Sequence, residues 1–472
     1  MSTPLTISHV CTRWRKVAIS TGSLWTKLAI FLEVEAPQLI QISTWLRRSK
    51  NHPLEILLDM RYEEWDWDED SHPFTGEMMK VILGLLLPHI GRWKTFELLT
   101  NTWEPIYTFL VHTSGVKEAP MLQSVALSRC NAYFVTKGET FEPEELKNPV
   151  PLFGGSALAS LRDVSLAGVH FDWAQSSLRN LLDLSFKFHA ADVMPSLKEF
   201  KAILDACPEL QSLTVLGWGP CLDSQEKLSE KTLATLRNTI MLARLTRLSF
   251  GFVDVEYATR FLSMFHLPSL RELELQDISA SLDPMGPLDA TSILDMLLLH
   301  STRDAPEEPL SFYPLYQIEC LELEGLRCSE ERFSRFLRAL ISLKKIGLSD
   351  VDKALLTALS PTAKGGMPSL PGTVVIGARQ RRRSSFASTS LMASCPQLEN
   401  MVCRRVDYRS LSEVVLARCQ TDSGVRRLQK VEIDLQDSGD EQELVEEGSS
   451  FTLTEEDKEI MVKSGVDLLV QL

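Results

Sequence analysis

The stretch Ser196-Leu197-Lys198-Glu199-Phe200-Lys201-Ala202-Ile203-Leu204-Asp205-Ala206-Cys207-Pro208-Glu209-Leu210-Gln211-Ser212-Leu213-Thr214-Val215 decides the fold. Leu197, Phe200, Ile203 and Leu204 recur at helical spacing, which predicts a helix with one apolar face over 196–206. Pro208 has no N–H to continue that helix and biases Cys207 away from helical geometry. Leu213 and Val215 then alternate with polar residues, the period of a strand with one buried face. Helix, proline stop and short strand make one unit.

The strand phrase (apolar, two variable, apolar, one variable, apolar) recurs along the chain. It reads Leu122/Val125/Leu127, Leu161/Val164/Leu166, Leu181/Leu184/Phe186, Leu210/Leu213/Val215 and Leu245/Leu248/Phe250. It continues as Leu270/Leu273/Leu275, Ile318/Leu321/Leu323 and Leu343/Ile346/Leu348, with weaker copies at Leu398/Met401/Cys403 and Leu428/Val431/Ile433. Upstream, Trp93/Phe96/Leu98 and the segment Leu54 to Leu58 fit as well. The proline recurs in Ala119-Pro120, Leu267-Pro268 and Cys395-Pro396, and a second helical pattern runs over 330–340. Copy spacing drifts from 20 residues (Leu161 to Leu181) to 55 (Leu343 to Leu398).

No unit of this size buries its own apolar face, so successive units are expected to stack into one parallel sheet with helices outside. The competing reading is an ordinary α/β domain, whose parallel strands read as continuous apolar runs rather than alternating ones. The phrase resembles the leucine-rich repeat in the long, irregular form of F-box proteins. That resemblance implies an α/β solenoid over about residues 33–435, with its variable strand positions on a concave face.

Residues 5–30 carry a second signature. Ile7, Val10, Trp14, Val17 and Ala18 share one face of a predicted helix, Arg13, Arg15 and Lys16 lie on the other, and Ser20 to Ser23 break it before Leu24-Trp25. Ile7-Ser8, Val10-Cys11, Trp14-Arg15, Val17-Ala18 and Ser23-Leu24-Trp25 resemble the second half of an F-box. The continuation through Trp45-Leu46-Arg47-Arg48-Ser49 and Pro88-His89-Ile90-Gly91-Arg92-Trp93 resembles the F-box/leucine-rich-repeat families of mushroom-forming fungi.

The resemblance implies a substrate-recognition subunit of a Skp–cullin–F-box ubiquitin ligase, non-enzymatic and without a cofactor. Val10, Cys11, Trp14, Leu24 and Trp25 would contact the Skp-type adaptor or pack the box. Met1 to Pro4 do not match the Leu-Pro-x-Glu-Leu helix that opens an F-box. The adaptor contact is therefore expected only with a complete box, and a protein-binding scaffold outside the ubiquitin system stands as the alternative. Residues 1–32 read as the partial box and 436–472 as an acidic linker with a helix over 455–469.

Composition bounds these expectations. Of 472 residues, 44% are hydrophobic and 24% charged, as in a globular protein. Lys+Arg 49 against Asp+Glu 63 leaves −14, which argues against nucleic-acid binding. No apolar run approaches the ~20 residues of a membrane span, and an intracellular protein, cytoplasmic or nuclear, is expected. Nine cysteines include no C-x-x-C, so neither a disulfide framework nor zinc is expected.

Glu63 to Asp70 reads as an acidic surface loop anchored by tryptophan, in preference to a divalent-cation site. Residues 361–394 read as a flexible insertion whose Arg381-Arg382-Arg383-Ser384-Ser385 is a basic loop, a nuclear address or a kinase site. Glu272 and Glu274, on one copy, are expected beside Glu322 and Glu324 on the next. Four converging carboxylates would repel unless a cation or a basic segment of a protein partner sat among them.

Overall fold

The structure, a computed structural model, describes residues 3–32, 36–130, 135–222, 240–279, 288–301, 313–361, 394–420, 425–435 and 453–471. The interior of the 361–394 insertion, with Arg381 to Ser385, and the acidic segment Asp437 to Glu447 lie outside the described residues. The chain forms two compact units. The first runs to Leu288 and includes Tyr313; the second takes Asp289 to Ser301 and the residues described from Pro314 onward.

In the first unit, β1 (Lys27–Phe31), β2 (Leu54–Asp59), β3 (Trp93–Thr100), β4 (Ser124–Arg129) and β5 (Asp163–Ala167) lie side by side in chain order. They continue through β6 (Asp183–Lys187), β7 (Ser212–Leu216), β8 (Arg247–Phe252) and β9 (Glu272–Asp277), every neighbouring pair parallel. In the second unit, β10 (Cys320–Glu324), β11 (Lys345–Ser349), β12 (Asn400–Arg404), β13 (Lys430–Asp434) and β14 (Asp467–Gln471) do the same. The architecture is α/β with parallel strands taken in chain order.

The recurring apolar pairs are what the register aligns. Val125, Val164, Leu184, Leu213, Leu248 and Leu273 are successive partners across β4 to β9, as are Leu127, Leu166, Phe186, Val215, Phe250 and Leu275. In the second unit the rows are Leu321/Ile346/Met401/Val431/Leu468 and Leu323/Leu348/Cys403/Ile433/Val470. Helices cover this face. The helix Leu197–Asp205 opens with a capping box of Ser196 and Glu199, and its Phe200 meets Phe186 at 5.7 Å and Phe261 at 5.8 Å. Phe109 stacks on Phe96 at 4.6 Å in the same way.

The proline phrase works as a turn rather than as a general helix stop. Leu122, Leu210, Leu270 and Leu398 each donate their N–H to the carbonyl three residues back, with proline between, at 3.1–3.2 Å. Among the described residues a helix ends directly before it at Cys207-Pro208.

A second device sits at the far end of several strands. Gly168, Phe188, Gly217, Gly325, Asp350 and Arg405, two residues beyond the last apolar position, all have positive φ, between 49° and 96°. The N–H groups of Gly168, Phe188, Gly217, Gly325 and Asp350 each reach a carbonyl of the next strand at 2.8–3.1 Å.

Three expectations change. The N-terminal helix is two helices, because Cys11 is extended (φ −161) between Thr3–Val10 and Thr12–Ser20. Residues 27–31, read as part of the partial box, form a strand at the end of the first unit's strand order. The C-terminal helix stops at Lys463, where Ser464-Gly465 turns the chain into β14, whose Leu468 and Val470 complete the apolar rows.

His189 is fully buried, Nδ1 2.8 Å from Val169 O and Nε2 3.1 Å from Leu166 O. Burial outweighs the pull of both carbonyls and lowers its pKa from 6.5 to about 4. The folded chain thus holds the neutral ring, while the unfolded chain takes up a proton near 6.5. Its contribution is complete above pH 6.5 and is lost as pH falls toward 4. Urea titrations should show stability dropping by up to about 1.4 kcal/mol per pH unit in that window, and His189→Gln should flatten the slope. At exposed Arg405, held at φ 49, Arg405→Gly is expected to raise stability by roughly 1 kcal/mol in the same assay.

Candidate functional site

Two surfaces carry the residues singled out by their sequence pattern. At the N-terminus, Arg15 Nε donates to Ser8 O at 2.9 Å and ties the two short helices together across the break at Cys11. Ala18 is buried beneath Trp25, whose Nε1 donates to Ala18 O at 2.8 Å. Trp45 meets the Trp25 ring edge-on at 4.7 Å, and the Arg48 guanidinium lies 4.4 Å above it. Trp25 therefore fastens the helices to the start of the sheet.

The other predicted residues divide. Leu24 is half-buried and Cys11 is exposed. Val10, Trp14 and Val17, expected on the same face as Ala18, are instead exposed at 62%, 52% and 55%. The break after Val10 and the short second helix leave only Ala18 under Trp25. What remains is three exposed apolar side chains, of which Trp14 and Val17 share one face of the second helix.

The second surface is the polar face of the strands. In the first unit its leading positions are Lys27, Glu55, Thr95, Ser124, Asp163, Asp183, Ser212, Arg247 and Glu272, in register. Glu55 sits 3.2 Å from Lys27 Nζ and 3.1 Å from Lys94 Nζ, and these lysines hold its carboxyl below the usual range. Arg247 lies 4.0 Å from Glu272 and 3.8 Å from Glu274. In the second unit Lys345 lies 3.5 Å from Glu322, while Glu324 is exposed at the end of its strand. Glu272, Glu274 and Glu322 thus each have a basic neighbour from their own unit, which removes the need for an outside cation at those positions.

The acidic loop at 63–70 is tied into the fold. Trp65 Nε1 donates to Asp68 O at 2.8 Å, and Glu69 pairs with the buried Arg129 and accepts from Trp103 N at 2.9 Å. Trp67, expected as an anchor, is 65% exposed. Among the described residues no group of three or more His, Cys, Asp or Glu is placed to hold a metal ion, and the nine cysteines are free thiols. An open hollow of about 480 Å³ beside Arg47, Lys50, His89 and Arg92 is basic, but Arg92 is engaged with Leu46 O, Ser49 Oγ and His52 O. Lys50 likewise donates to Ser20 O at 2.6 Å.

Asp163, Asp183 and Ser185 were not singled out by the sequence pattern, although a signal was present. Leu161-Arg162-Asp163-Val164-Ser165-Leu166 and Leu181-Leu182-Asp183-Leu184-Ser185-Phe186 place Asp and Ser at the same positions of consecutive copies.

Neither protein-family models nor curated proteins give a match to this chain.

The two tryptophans make a direct test of this division of roles. Trp25→Ala is expected to destabilise the protein by about 3–5 kcal/mol, since it empties a buried site. Trp14→Ala should stay within about 0.5 kcal/mol. Denaturant melts of the two variants compare them.

Proposed function

We propose that the protein is a recognition subunit: its N-terminal helices dock on a Skp-type adaptor of a ubiquitin ligase, and the polar face of its strands holds a protein substrate. The observation that carries this reading is the exposure of Val10, Trp14 and Val17 on a helix pair anchored through Trp25. An exposed apolar group of this kind marks an interaction site. Its resemblance to the second half of an F-box names the partner class. The parallel strands in chain order, several of them followed by an αL turn, support the finer assignment to a leucine-rich-repeat solenoid.

On this reading the chain performs no chemistry of its own. It raises the effective concentration of a substrate lysine at a thioester carried by another subunit. A cytoplasmic or nuclear setting follows from that role. Among the described residues no helix is long and apolar enough to cross a membrane.

Affinity capture of the full chain co-expressed with a Skp-type adaptor tests the proposal. The wild-type chain should retain the adaptor, and Trp14→Asp with Val17→Asp should lose it at least tenfold with an unchanged melting temperature. A wild-type chain that retains no adaptor removes the ligase reading and leaves that of a protein-binding scaffold.

A further inference from the structure

Two outer helices of the first unit leave an apolar side uncovered. The helix Ala36–Arg48 buries Ile42, Trp45 and Leu46, and the helix Gly76–Leu86 buries Met79, Ile82, Leu83 and Leu86. An open hollow of about 570 Å³ lies between them, lined by Leu39, Ile40, Val81 and Leu85 from their outer sides. Ile40 is 68% exposed and Val81 53%. Both walls follow the helical repeat: Ile40, Thr44 and Arg47 lie at i, i+4 and i+7 on one, and Val81, Leu85 and Pro88 at the same spacing on the other. Arg47 also lines the basic hollow beside Lys50, His89 and Arg92, so the two hollows are continuous. The groove passes from an apolar floor at Ile40 to a basic end at Arg47, about 10 Å or two helical turns further on.

The basic end is not fully spent on the chain itself. Arg92 donates to Leu46 O at 2.8 Å and so satisfies a terminal carbonyl of the Ala36–Arg48 helix, while Arg48 lies over Trp25. Arg47, in the same last turn, is exposed and makes no ion pair among the described residues. Neither hollow is lined by a carboxylate, in a chain whose net charge is −14.

Gly84 is an independent sign on the other wall. It lies exposed inside the Gly76–Leu86 helix, three residues beyond Val81 and next to Leu85, and a Cβ there would meet nothing within 4 Å. Glycine weakens a helix relative to alanine, and neither a turn nor a crowded neighbour calls for it at this point. The missing side chain leaves room beside the groove for a second backbone to come close.

We propose that this groove docks an amphipathic helix of a partner protein, its apolar residues on Ile40, Val81 and Leu85 and an Asp or Glu two turns along at Arg47. A helix keeps step with two walls that repeat at the helical rise, whereas an extended segment, at ~3.3 Å per residue, does not. Charge complementarity sets the acidic end, since a basic one would meet Arg47, Lys50 and Arg92 with repulsion. The site uses neither the N-terminal apolar residues nor the polar strand face, so it stands or falls apart from the role proposed above.

The test uses the full chain and a fluorescein-labelled, alanine-rich helical peptide of about 18 residues, with Leu at i and i+4 and Glu at i+7 and i+8. Binding is followed by anisotropy. The Glu peptide should bind, and changing its Glu pair to Lys or its Leu pair to Ala should weaken binding at least tenfold. Arg47→Glu should reverse the preference between the Glu and Lys peptides, whereas Arg179→Glu, at another exposed arginine, should change binding less than twofold. Gly84→Leu should abolish binding while raising the melting temperature, a combination that damage to the fold cannot produce. A chain that does not bind the Glu peptide, that binds the Glu and Lys peptides equally, or that still binds after Gly84→Leu overturns the proposal. Equal losses in Arg47→Glu and Arg179→Glu do so too, because net charge would then explain binding. A wild-type dimer in sedimentation that Ile40→Ser with Val81→Ser dissociates would give the groove to a second copy and overturn it as well.

Discussion

Everything in this protein depends on the in-register burial of two apolar side chains per strand. Leu213 and Val215 are fully buried because Leu184 and Phe186 flank them on one side and Leu248 and Phe250 on the other. Each such side chain contributes roughly 1.5–3 kcal/mol when removed from water. A strand alone cannot collect that energy, since the shielding comes from its neighbours and from the helices over them. Sliding one strand by a single residue would turn both side chains to the polar face, so the apolar pairs set the register as well as supplying the stability.

This explains which features could be read from the residues. The alternation in Leu161 to Leu166 or Leu321 to Leu323 is dictated by burial, tolerates only apolar residues, and so stands out. The left-handed residue after several of the strands does not stand out, because its requirement is on the backbone. Gly168 and Gly217 satisfy it without strain, yet Phe188, Asp350 and Arg405 occupy the same place. In several copies the N–H of that residue is fixed by a carbonyl of the next strand, and this tertiary bond overrides the local preference. β1 and β14 were missed for a related reason. Among the described residues each has a single sheet neighbour, and Lys27 to Phe31 and Asp467 to Gln471 are short and half exposed.

At the candidate sites the sequence separated poorly what packs from what is free. Val10, Trp14, Val17 and Ala18 have the spacing of one buried face, but one extended residue, Cys11, divides the helix and leaves Ala18 alone inside. A period of 3.6 shows that residues share a face; it does not show what covers that face. The acidic positions posed the opposite difficulty. Glu272 and Glu274 look like an unbalanced cluster until Arg247, a full copy earlier in sequence, is seen to lie beside them on the adjacent strand.

The two faces of the strands therefore carry different kinds of constraint. The apolar face allows little change, because a lost methylene leaves a cavity that the neighbours on either side cannot fill. The polar face contributes little to the ladder, and most of its charges are offset one strand away at the modest value of exposed ion pairs. Against that background an unneutralised Asp163–Asp183 pair beside an unpartnered Ser185 is a cost the fold can bear, because the apolar rows on the reverse of the same strands hold them in place. Asn at either aspartate would relieve the repulsion without disturbing Val164 or Leu184. Glu55, Glu272 and Glu274 meet cations of the chain's own on the same or the adjacent strand, whereas Asp163 and Asp183 face each other, so the charge balance of this face is uneven along its length and rests on the apolar rows to hold it.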